Sequence, residues 1–410
     1  MSRAGRSAFR HRDFALFWFS LVAESFALQM AFVAIGWQVY SIRGNPLDLG
    51  LVGLAEFLPL LLLALPAGQL ADKVPRRSLL VVMLGLNLVV LSGLLAITVA
   101  DTGRVWPYFA LAFTQGVGSA IGAPAGRALT PSLVPREILV SALAQRSIGF
   151  QLSAVVGPAA GGILLAIEPE LVYVVGIALA LVALGCVLAM RSGRTPASHG
   201  AVGLGEVLAG VRLIRRTKVL FGAISLDLFA VLFGGAVALL PVFAKDILEV
   251  GPTGLGLLRT SPAVGSLVAA LLIARFPIRR HAGRTLFLVV AGFGASIVVF
   301  GLSRSMWLSM LALAVGAGLD MVSVVLRSTI LPLVTPDELR GRVTAVEMVF
   351  ISASNELGAF ESGVAAALIG AVPAVVLGGA VTMVVAAAWW KLFPQLARVD
   401  RLDELRPVEI

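Results

Sequence analysis

The chain has 410 residues, of which 59 % are hydrophobic and 13 % charged, whereas soluble domains carry about 25 % charged residues, so the composition excludes a soluble globular protein. The formal net charge of +9 does not indicate nucleic-acid binding, because the basic residues lie in short loops between apolar runs. A single cysteine, three histidines in loops or tails, and the lack of a zinc-protease or P-loop motif leave no expected disulfide, metal site, cofactor or enzymatic activity.

Twelve apolar segments follow one another along the chain, and each is long enough for a helix that crosses a hydrocarbon core of about 30 Å. Runs this long and uniform favour helices over the alternating strands of a barrel. The first segment is too long for the core of a signal peptide, so we expect it to remain as a span. The sequence therefore predicts an all-α membrane protein with twelve transmembrane helices. The predicted spans, numbered 1 to 12, are 14–42, 49–71, 78–100, 106–130, 138–166, 171–190, 219–246, 253–275, 285–303, 307–332, 340–370 and 373–394.

The loops between these spans alternate in charge. The loops on the side of the N-terminus, together with both chain ends and the adjoining ends of the spans, hold 24 Lys and Arg. The opposite loops hold four, which are Arg43, Arg104, Lys245 and Arg304. Basic residues are retained on the cytoplasmic side of a membrane. We therefore expect a multi-pass protein of the cell membrane with both termini in the cytoplasm.

The second half of the chain repeats landmarks of the first half at an offset of 201 residues. Six matches at one offset without a gap indicate a duplicated unit of six spans. Six spans return the chain to the same side of the membrane, so we expect two six-helix bundles related by a pseudo-two-fold axis along the membrane normal. The matching pairs are Trp106 with Trp307, Pro131 with Pro332, Pro135 with Pro336, Glu137 with Glu338, Gly157 with Gly358, and Gly162 with Gly363.

The longest polar interruption falls between the two repeats. We predict an N-terminal bundle at 1–190, a cytoplasmic linker at 191–218, a C-terminal bundle at 219–394 and a cytoplasmic tail at 395–410. The second half of the linker is interpreted as an amphipathic helix suited to an anionic membrane surface.

A short charged loop, "GQLADKVPRR" at 68–77, joins spans 2 and 3. Asp72 can accept hydrogen bonds from a nearby helix N-terminus, and Arg76 and Arg77 can pair with acids or lipid phosphates. We interpret Gly68, Asp72 and the two arginines as a cytoplasmic latch that forms in one conformation and breaks in another. A plain positive-inside anchor is the alternative, which explains the arginines but not the acid.

This loop resembles the signature between spans 2 and 3 of the major facilitator superfamily of transporters. Proline replaces the second glycine of the signature, a form similar to the drug- and siderophore-exporting branch, which includes enterobactin and macrolide exporters. The stretch "TPSLVPREILVSALAQRSIGFQLSAVVGPAAGG" is similar to spans 4 and 5 of that branch, and the resemblance extends over essentially the whole chain. The matching loop positions are Gly68, Leu70, Asp72, Arg76 and Arg77.

Two further family signatures carry expectations for spans 4 and 5. In span 4, Gln115 matches, but the arginine expected three residues earlier is Ala112, which leaves no proton relay through that position. In span 5, "GPAAGG" resembles the antiporter signature, in which small residues allow helices to approach closely. Generic helix packing is an equally good interpretation of this motif. Its residues here are Gly157, Pro158, Gly161 and Gly162.

Seven acidic residues lie within the predicted spans. A charged acid at the bilayer centre costs at least about 2.5–3.5 kcal/mol on insertion scales, so each should face a cavity, find a basic partner or stay protonated. Stripes of small and polar residues surround Glu24 on span 1 and Asp227 on span 7 and suit a water-filled cavity. The acids are Glu24, Glu56, Asp227, Asp320, Glu347, Glu356 and Glu361.

From these acids we predict a site for proton exchange or substrate binding formed by Glu24, Asp227 and Glu356, with Gln38 and Gln115 as further cavity residues. Asp320 and Arg327 share a face of span 10 and indicate an ion network or a gate. Glu347 is interpreted as a structural partner for loop bases, and Glu56 receives no assignment.

The sequence thus favours a secondary transporter that exports an amphipathic, drug-like or siderophore-like molecule by proton antiport and alternating access. A proton symporter for uptake and a non-transporting scaffold or sensor are the alternatives. The expected partners are a small-molecule substrate, protons and membrane lipids, with no nucleic acid, and the family resemblance implies a monomer.

Overall fold

The structure is a computed structural model that describes residues 8–191 and 204–407. Within these ranges it describes the backbone alone at 64–65, 68–69, 71–72, 204–209 and 404.

Twelve long helices account for most of the described chain, and one helix covers each predicted span. The described residues contain no strand. Helix α7 ends at Phe233 and is capped by Gly234. Short helical turns follow it as far as Ile247, and the last of them is a π-helical turn at Phe243–Ile247. The helices are α1 Arg12–Arg43, α2 Pro46–Lys73, α3 Arg76–Val99, α4 Trp106–Leu133, α5 Leu139–Ile167, α6 Pro169–Ala189, α7 Lys218–Phe233, α8 Gly251–Arg275, α9 Ala282–Leu302, α10 Met306–Val334, α11 Arg340–Ile369 and α12 Ala371–Leu392.

Ten helical segments within the described ranges are long and apolar enough to cross a membrane, judged by length and composition alone. The other two are α4 and α11. Helix α4 is rich in glycine and proline and contains Gln115, and α11 contains Arg340, Arg342 and three glutamates. These two helices are not counterparts of each other in the repeat, in which α4 corresponds to α10 and α5 to α11.

By its internal contacts the chain divides into two units. Unit 1 comprises Met1–Gly44, Leu51–Ala201 and Gly251–Thr260. Unit 2 comprises Asn45–Gly50, Val202–Val250 and Ser261–Ile410. The bundle, linker and tail limits derived from the sequence stay a prediction, and residues 192–203 of the predicted linker lie outside the described residues.

The core of unit 1 is formed mainly by α1, α3, α4 and α6. Phe14, Leu84 and Leu129 are fully buried in it. Glycine allows α5 to lie directly against α1, because a Cβ on Gly149 would approach Val22 Cγ2 to 2.7 Å. At the same crossing the indole Nε1 of Trp18 donates to the Gln145 carbonyl at 2.8 Å.

The core of unit 2 includes part of the linker. A helix at Leu204–Arg216, which we name the linker helix, buries Ile214 against α7 and α11 residues. Its Gly210 lies so close to α11 that a Cβ there would be 3.0 Å from the Arg342 carbonyl oxygen. Arg212 and Arg215 are exposed. The predicted amphipathic helix is therefore present, with its apolar side packed on protein.

The described part of the C-terminal tail packs on the first turn of α9. Leu396 is fully buried, and the Gly283 amide donates to the Val399 carbonyl at 2.8 Å. The Asp400 carboxylate accepts a hydrogen bond of 2.7 Å from the His281 backbone N–H and lies 2.7 Å from the His281 ring Nδ1. That backbone hydrogen bond, more than the positive charges of neighbouring Arg280 and Arg284, lowers the pKa of Asp400 below its ordinary value.

We expect the contact between the tail and α9 to weaken at low pH and to stay intact at neutral pH. When a contact lowers the pKa of a carboxyl group, that group stabilises the contact at any pH above the ordinary pKa of an aspartate. The stabilisation is lost as the pH falls through the lowered pKa. Hydrogen exchange of the Ala282 and Gly283 amides, which donate to the tail, should therefore be slow at neutral pH and accelerate only in strong acid, after correction for intrinsic rates. In Asp400→Ala we expect fast exchange at every pH. Slow exchange in that variant would show that Asp400 does not hold the tail.

Candidate functional site

Glu24 on α1 is held by a neutral partner in unit 1. The side-chain Nδ2 of Asn87, on α3, donates to Glu24 Oε1 at 2.9 Å. Asn87 is 2 % exposed, and Glu24 is half-buried. A neutral amide can accompany either the ionised or the protonated carboxyl. Sequence reasoning missed Asn87, although an asparagine in the middle of an apolar span is a signal that it could have used.

The small residues around Glu24 and Asp227 are buried. Ser20, Ala27 and Ala31 are at most 3 % exposed. On α7, Ala223 is fully buried and Asp227 is 5 % exposed. The expectation that both stripes face a water-filled cavity stays a prediction. Small residues also mark positions where helices approach closely, and helical phase alone cannot separate the two cases.

Asp227 forms a buried ion pair in unit 2. Arg327 Nη2, on α10, lies 2.7 Å from Asp227 Oδ1, and the two side chains are 4 % and 6 % exposed. Arg327 Nε also donates to Ser323 Oγ at 3.3 Å. A buried charge needs such a partner, since removing it from water costs several kcal/mol per ion. Sequence reasoning placed Arg327 in an ion network with Asp320 and missed the pairing with α7.

Two more carboxyl groups lie near this pair. Asp320 on α10 and Glu347 on α11 are each close enough to interact electrostatically with both Asp227 and Arg327. Three acids thus surround one guanidinium group.

Glu356, the third predicted site residue, is half-buried on α11. It lies two residues before Gly358, where a Cβ would approach the Leu232 carbonyl oxygen of α7 to 2.8 Å. Helix α11 therefore touches the backbone of α7 beside Glu356. A role of this residue in proton exchange stays a prediction.

Gln38 is engaged within unit 1. Its Nε2 donates to Thr98 Oγ1 at 3.0 Å, and its Oε1 accepts from Tyr108 Oη at 3.4 Å and from Tyr173 Oη. Tyr173 is fully buried. The amide nitrogen and the amide oxygen of Gln38 are thus both used, and they join α1, α3, α4 and α6. This network favours a structural role over the cavity role expected from the sequence.

Gln115 lines a small cavity within unit 1. The cavity has a volume of about 20 Å³ and lies among α1, α2, α3 and α4, with Glu56 as its other polar lining residue. Gln115 is 5 % exposed, and its Oε1 has no hydrogen-bond partner within the described structure. Gln115 therefore lies at a cavity within unit 1, and its role in substrate binding stays a prediction.

The two arginines of the charged loop bind helix ends of their own unit. Arg76 Nη1 donates to the Ala128 carbonyl of α4 at 2.8 Å. Arg77 donates from Nε to the Val187 carbonyl at 2.9 Å and from Nη2 to the Leu188 carbonyl, in the last turn of α6. The C-terminal end of a helix such as α6 favours cations. The side chains at Gly68 and Asp72 lie outside the described residues, and the latch stays a prediction.

The glycine motif of α5 places this helix against two others. A Cβ would approach Gln29 Cβ to 2.7 Å from Gly157 and Met30 Cα to 2.8 Å from Gly161, so both contact α1. Gly162 faces the first turns of α8, where its Cβ would be 2.7 Å from the Pro252 carbonyl oxygen. Pro158 is buried beside them. The motif therefore provides close helix contacts, as small residues at this spacing predict.

Comparison with known proteins places these features in a family. Residues 4–407 match the family described as "Transmembrane secretion effector". The chain is 26 % identical over 312 residues to the enterobactin exporter EntS of Shigella boydii serotype 18 and to that of Escherichia coli O81. In both cases the match covers 76 % of this chain and 72 % of the relative.

Solved structures show the same fold at low sequence identity. A mutant of the nucleoside transporter NupG has a TM-score of 0.74 at 12 % identity, over 93 % of this chain and all of that one. A bacterial homologue of the iron transporter ferroportin, in an inward-facing state, has a TM-score of 0.70 at 16 % identity, over 96 % of this chain and all of that one. The predicted fold of twelve helices in two six-helix bundles is confirmed, and so is the prediction that the chain is not an enzyme. This chain belongs to the transmembrane secretion effector family of major facilitator transporters.

Proposed function

We propose that this transporter exports an amphipathic small molecule, siderophore-like or drug-like, in exchange for protons. The enterobactin exporters that it resembles support both the direction and the substrate class. The observation that carries proton coupling is the contact between Glu24 and Asn87, at 2.9 Å. Because Asn87 is neutral, protonation of Glu24 leaves no cationic partner unpaired, and the hydrogen bond from Asn87 can persist in both protonation states.

Asp227 contributes differently to this proposal. Its ion pair with Arg327 holds it ionised, so proton exchange in unit 2 requires either the opening of that pair or the use of Asp320. We therefore propose Glu24 as the main exchanging acid, with Asp227 and Glu356 as further members. Uptake by proton symport remains the rival transport mode. A scaffold without transport would gain nothing from several acids at membrane depth, each of which costs free energy on insertion.

We further propose that the protein lies in the cell membrane as a monomer with both termini in the cytoplasm. By this topology, exposed Arg279 and Arg280 between α8 and α9, and exposed Arg284 in the first turn of α9, lie on the cytoplasmic side. Bases at such positions suit anionic lipid headgroups.

Retention assays in intact cells test the function. Cells with this chain should retain less enterobactin, macrolide or cationic dye than cells without it, and a protonophore should abolish the difference. The transmembrane potential contributes about 2.3 kcal/mol per charge per 100 mV, so collapse of the proton gradient removes the driving force. Greater retention in expressing cells would instead identify an uptake symporter. Equal retention of every compound in the panel would contradict export of these classes.

A further inference from the structure

Two arginines lie at the same level on α4 and α5 of unit 1, which a short turn at Arg136–Ile138 connects. At a rise of about 1.5 Å per residue, Arg127 lies about 9 Å before the end of α4 and Arg146 about 10 Å after the start of α5. The two side chains are close enough for their positive charges to repel each other. This pair of helices thus carries a concentration of positive charge away from the helix ends.

Arg146 uses little of its hydrogen-bonding capacity within the described structure. Its Nη1 donates to the hydroxyl of Thr130 on α4 at 3.4 Å, which is long for a hydrogen bond. A guanidinium group carries five N–H donors, and no acid among the described side chains forms an ion pair with this one. Arg146 is nevertheless half-buried. A partly buried cation gives up part of its hydration, so an anion at this place would restore favourable interactions.

The second repeat indicates that two bases are not required at these positions to pack the helices. At the offset of 201 residues, Arg127 corresponds to Ser328 and Arg146 to Glu347. Helices α10 and α11 therefore form the equivalent pair in unit 2 with one neutral and one acidic residue. The positive-inside rule concerns bases in loops and near span ends, so it does not explain why two arginines lie together within the helices.

We propose that Arg146 and Arg127 form a binding site for an oxyanion, that is, a carboxylate, phosphate or phenolate group. Arg146 is the main ligand, because its planar guanidinium can donate two parallel hydrogen bonds to such a group. Arg127, which is exposed, supplies a second positive charge nearby. The oxyanion belongs either to an acidic amphipathic compound or to the headgroup of an anionic lipid, which present the same chemistry to the arginines. Only the first source, as cargo, rests on the proposed export function.

Salicylate binding to the purified full-length protein in nanodiscs tests the site. Salicylate is a fluorescent aromatic carboxylate, and salicylamide is its matched ligand without the carboxylate. In phosphatidylcholine discs, the wild type should bind salicylate about tenfold more tightly than salicylamide, and Arg146→Gln should weaken salicylate binding about tenfold. Arg146→Lys should weaken it less, because lysine keeps the charge but loses the paired donors. The matched control is Arg136→Gln, which removes the same charge from the exposed turn between the two helices and should bind as the wild type does.

Discs that also contain phosphatidylglycerol distinguish the two sources of the oxyanion. If the lipid headgroup occupies the site, phosphatidylglycerol should abolish salicylate binding to the wild type. Native mass spectrometry should then detect more retained phosphatidylglycerol on the wild type than on Arg146→Gln. If a soluble acidic compound is the ligand, salicylate should bind as tightly as in the discs without phosphatidylglycerol.

Equal salicylate affinity of the wild type and a folded Arg146→Gln variant, judged by circular dichroism, would overturn the inference. If that variant does not fold, equal affinity of the wild type for salicylate and salicylamide would overturn it in the same way. No saturable salicylate binding, together with equal lipid retention by the wild type and the variant, would also overturn it. Because none of these measurements involves transport, failure of the export proposal would leave the binding result unchanged, and the reverse is also true.

Discussion

Replacement of Asp227 by alanine should destabilise the protein by about 3–5 kcal/mol, because it leaves the Arg327 guanidinium buried without its direct partner. The nearby Asp320 and Glu347 carboxyl groups offset part of this loss, so we expect a value towards the lower limit. Thermal unfolding of the purified protein in detergent, followed by tryptophan fluorescence, measures the effect as a lower midpoint.

A double variant distinguishes the energetic coupling between Asp227 and Arg327 from the stability that any substitution at these buried positions would cost. Asp227→Leu with Arg327→Met removes both charges and keeps apolar volume, so it should recover most of the stability lost in Asp227→Ala. Ser323→Ala removes only the 3.3 Å hydrogen bond to Arg327 and should cost about 0.5–1.5 kcal/mol. If the losses from the two charge removals simply added, Asp227 and Arg327 would not be energetically coupled.

Glu24→Gln should abolish protonophore-sensitive efflux and leave substrate exchange intact. The glutamine oxygen can still accept from Asn87 Nδ2, so the contact between α1 and α3 survives while the exchangeable proton is lost. Efflux driven by a proton gradient in proteoliposomes should fall to the level of empty vesicles. Counterflow of labelled substrate, which needs no net proton movement, should continue at the wild-type rate.

The control for this prediction is Glu168→Gln, an exposed acid that follows α5 in the same unit, and it should transport as the wild type does. Loss of both efflux and counterflow in Glu24→Gln would indicate a structural or substrate-binding role for Glu24. If the amide variants of Glu24, Asp227 and Glu356 all kept wild-type proton-driven efflux, the proposed coupling through these acids would be wrong.

The architecture could be predicted from the sequence because it depends on properties that are local in the chain. Hydrophobic length defined the twelve helices, and the described helix limits differ from the predicted spans by a few residues, except at α7, which ends well before its predicted limit. The repeat also predicted which glycines are equivalent. Gly157 contacts α1 and Gly358 contacts α7, so corresponding residues meet corresponding helices in the two units.

The site was harder to predict because its partners depend on how helices rotate against each other. Asn87 lies 63 positions from Glu24, and Arg327 lies 100 positions from Asp227, so no spacing rule connects them. Helical phase grouped Glu24 with small residues on one stripe of α1 but could not tell whether that stripe packs against other helices or faces water. Glu56 received no role from the sequence because its surroundings, the cavity and Gln115, are defined only by the crossing of α2 and α4.

Glycines are retained between the two repeats of this chain, whereas the charged and polar residues of the interior are not. At the offset of 201 residues, Gly157 corresponds to Gly358, whereas Arg327 corresponds to Gly126 and Asn87 to Leu288. After the ancestral gene fused with its copy, the spacing between helices was retained while the polar interiors diverged. A chimera built from two N-terminal halves should therefore keep the close helix contacts in both halves. It would contain the polar residues of the N-terminal half twice and would lack the Arg327 guanidinium that pairs with Asp227 on α7.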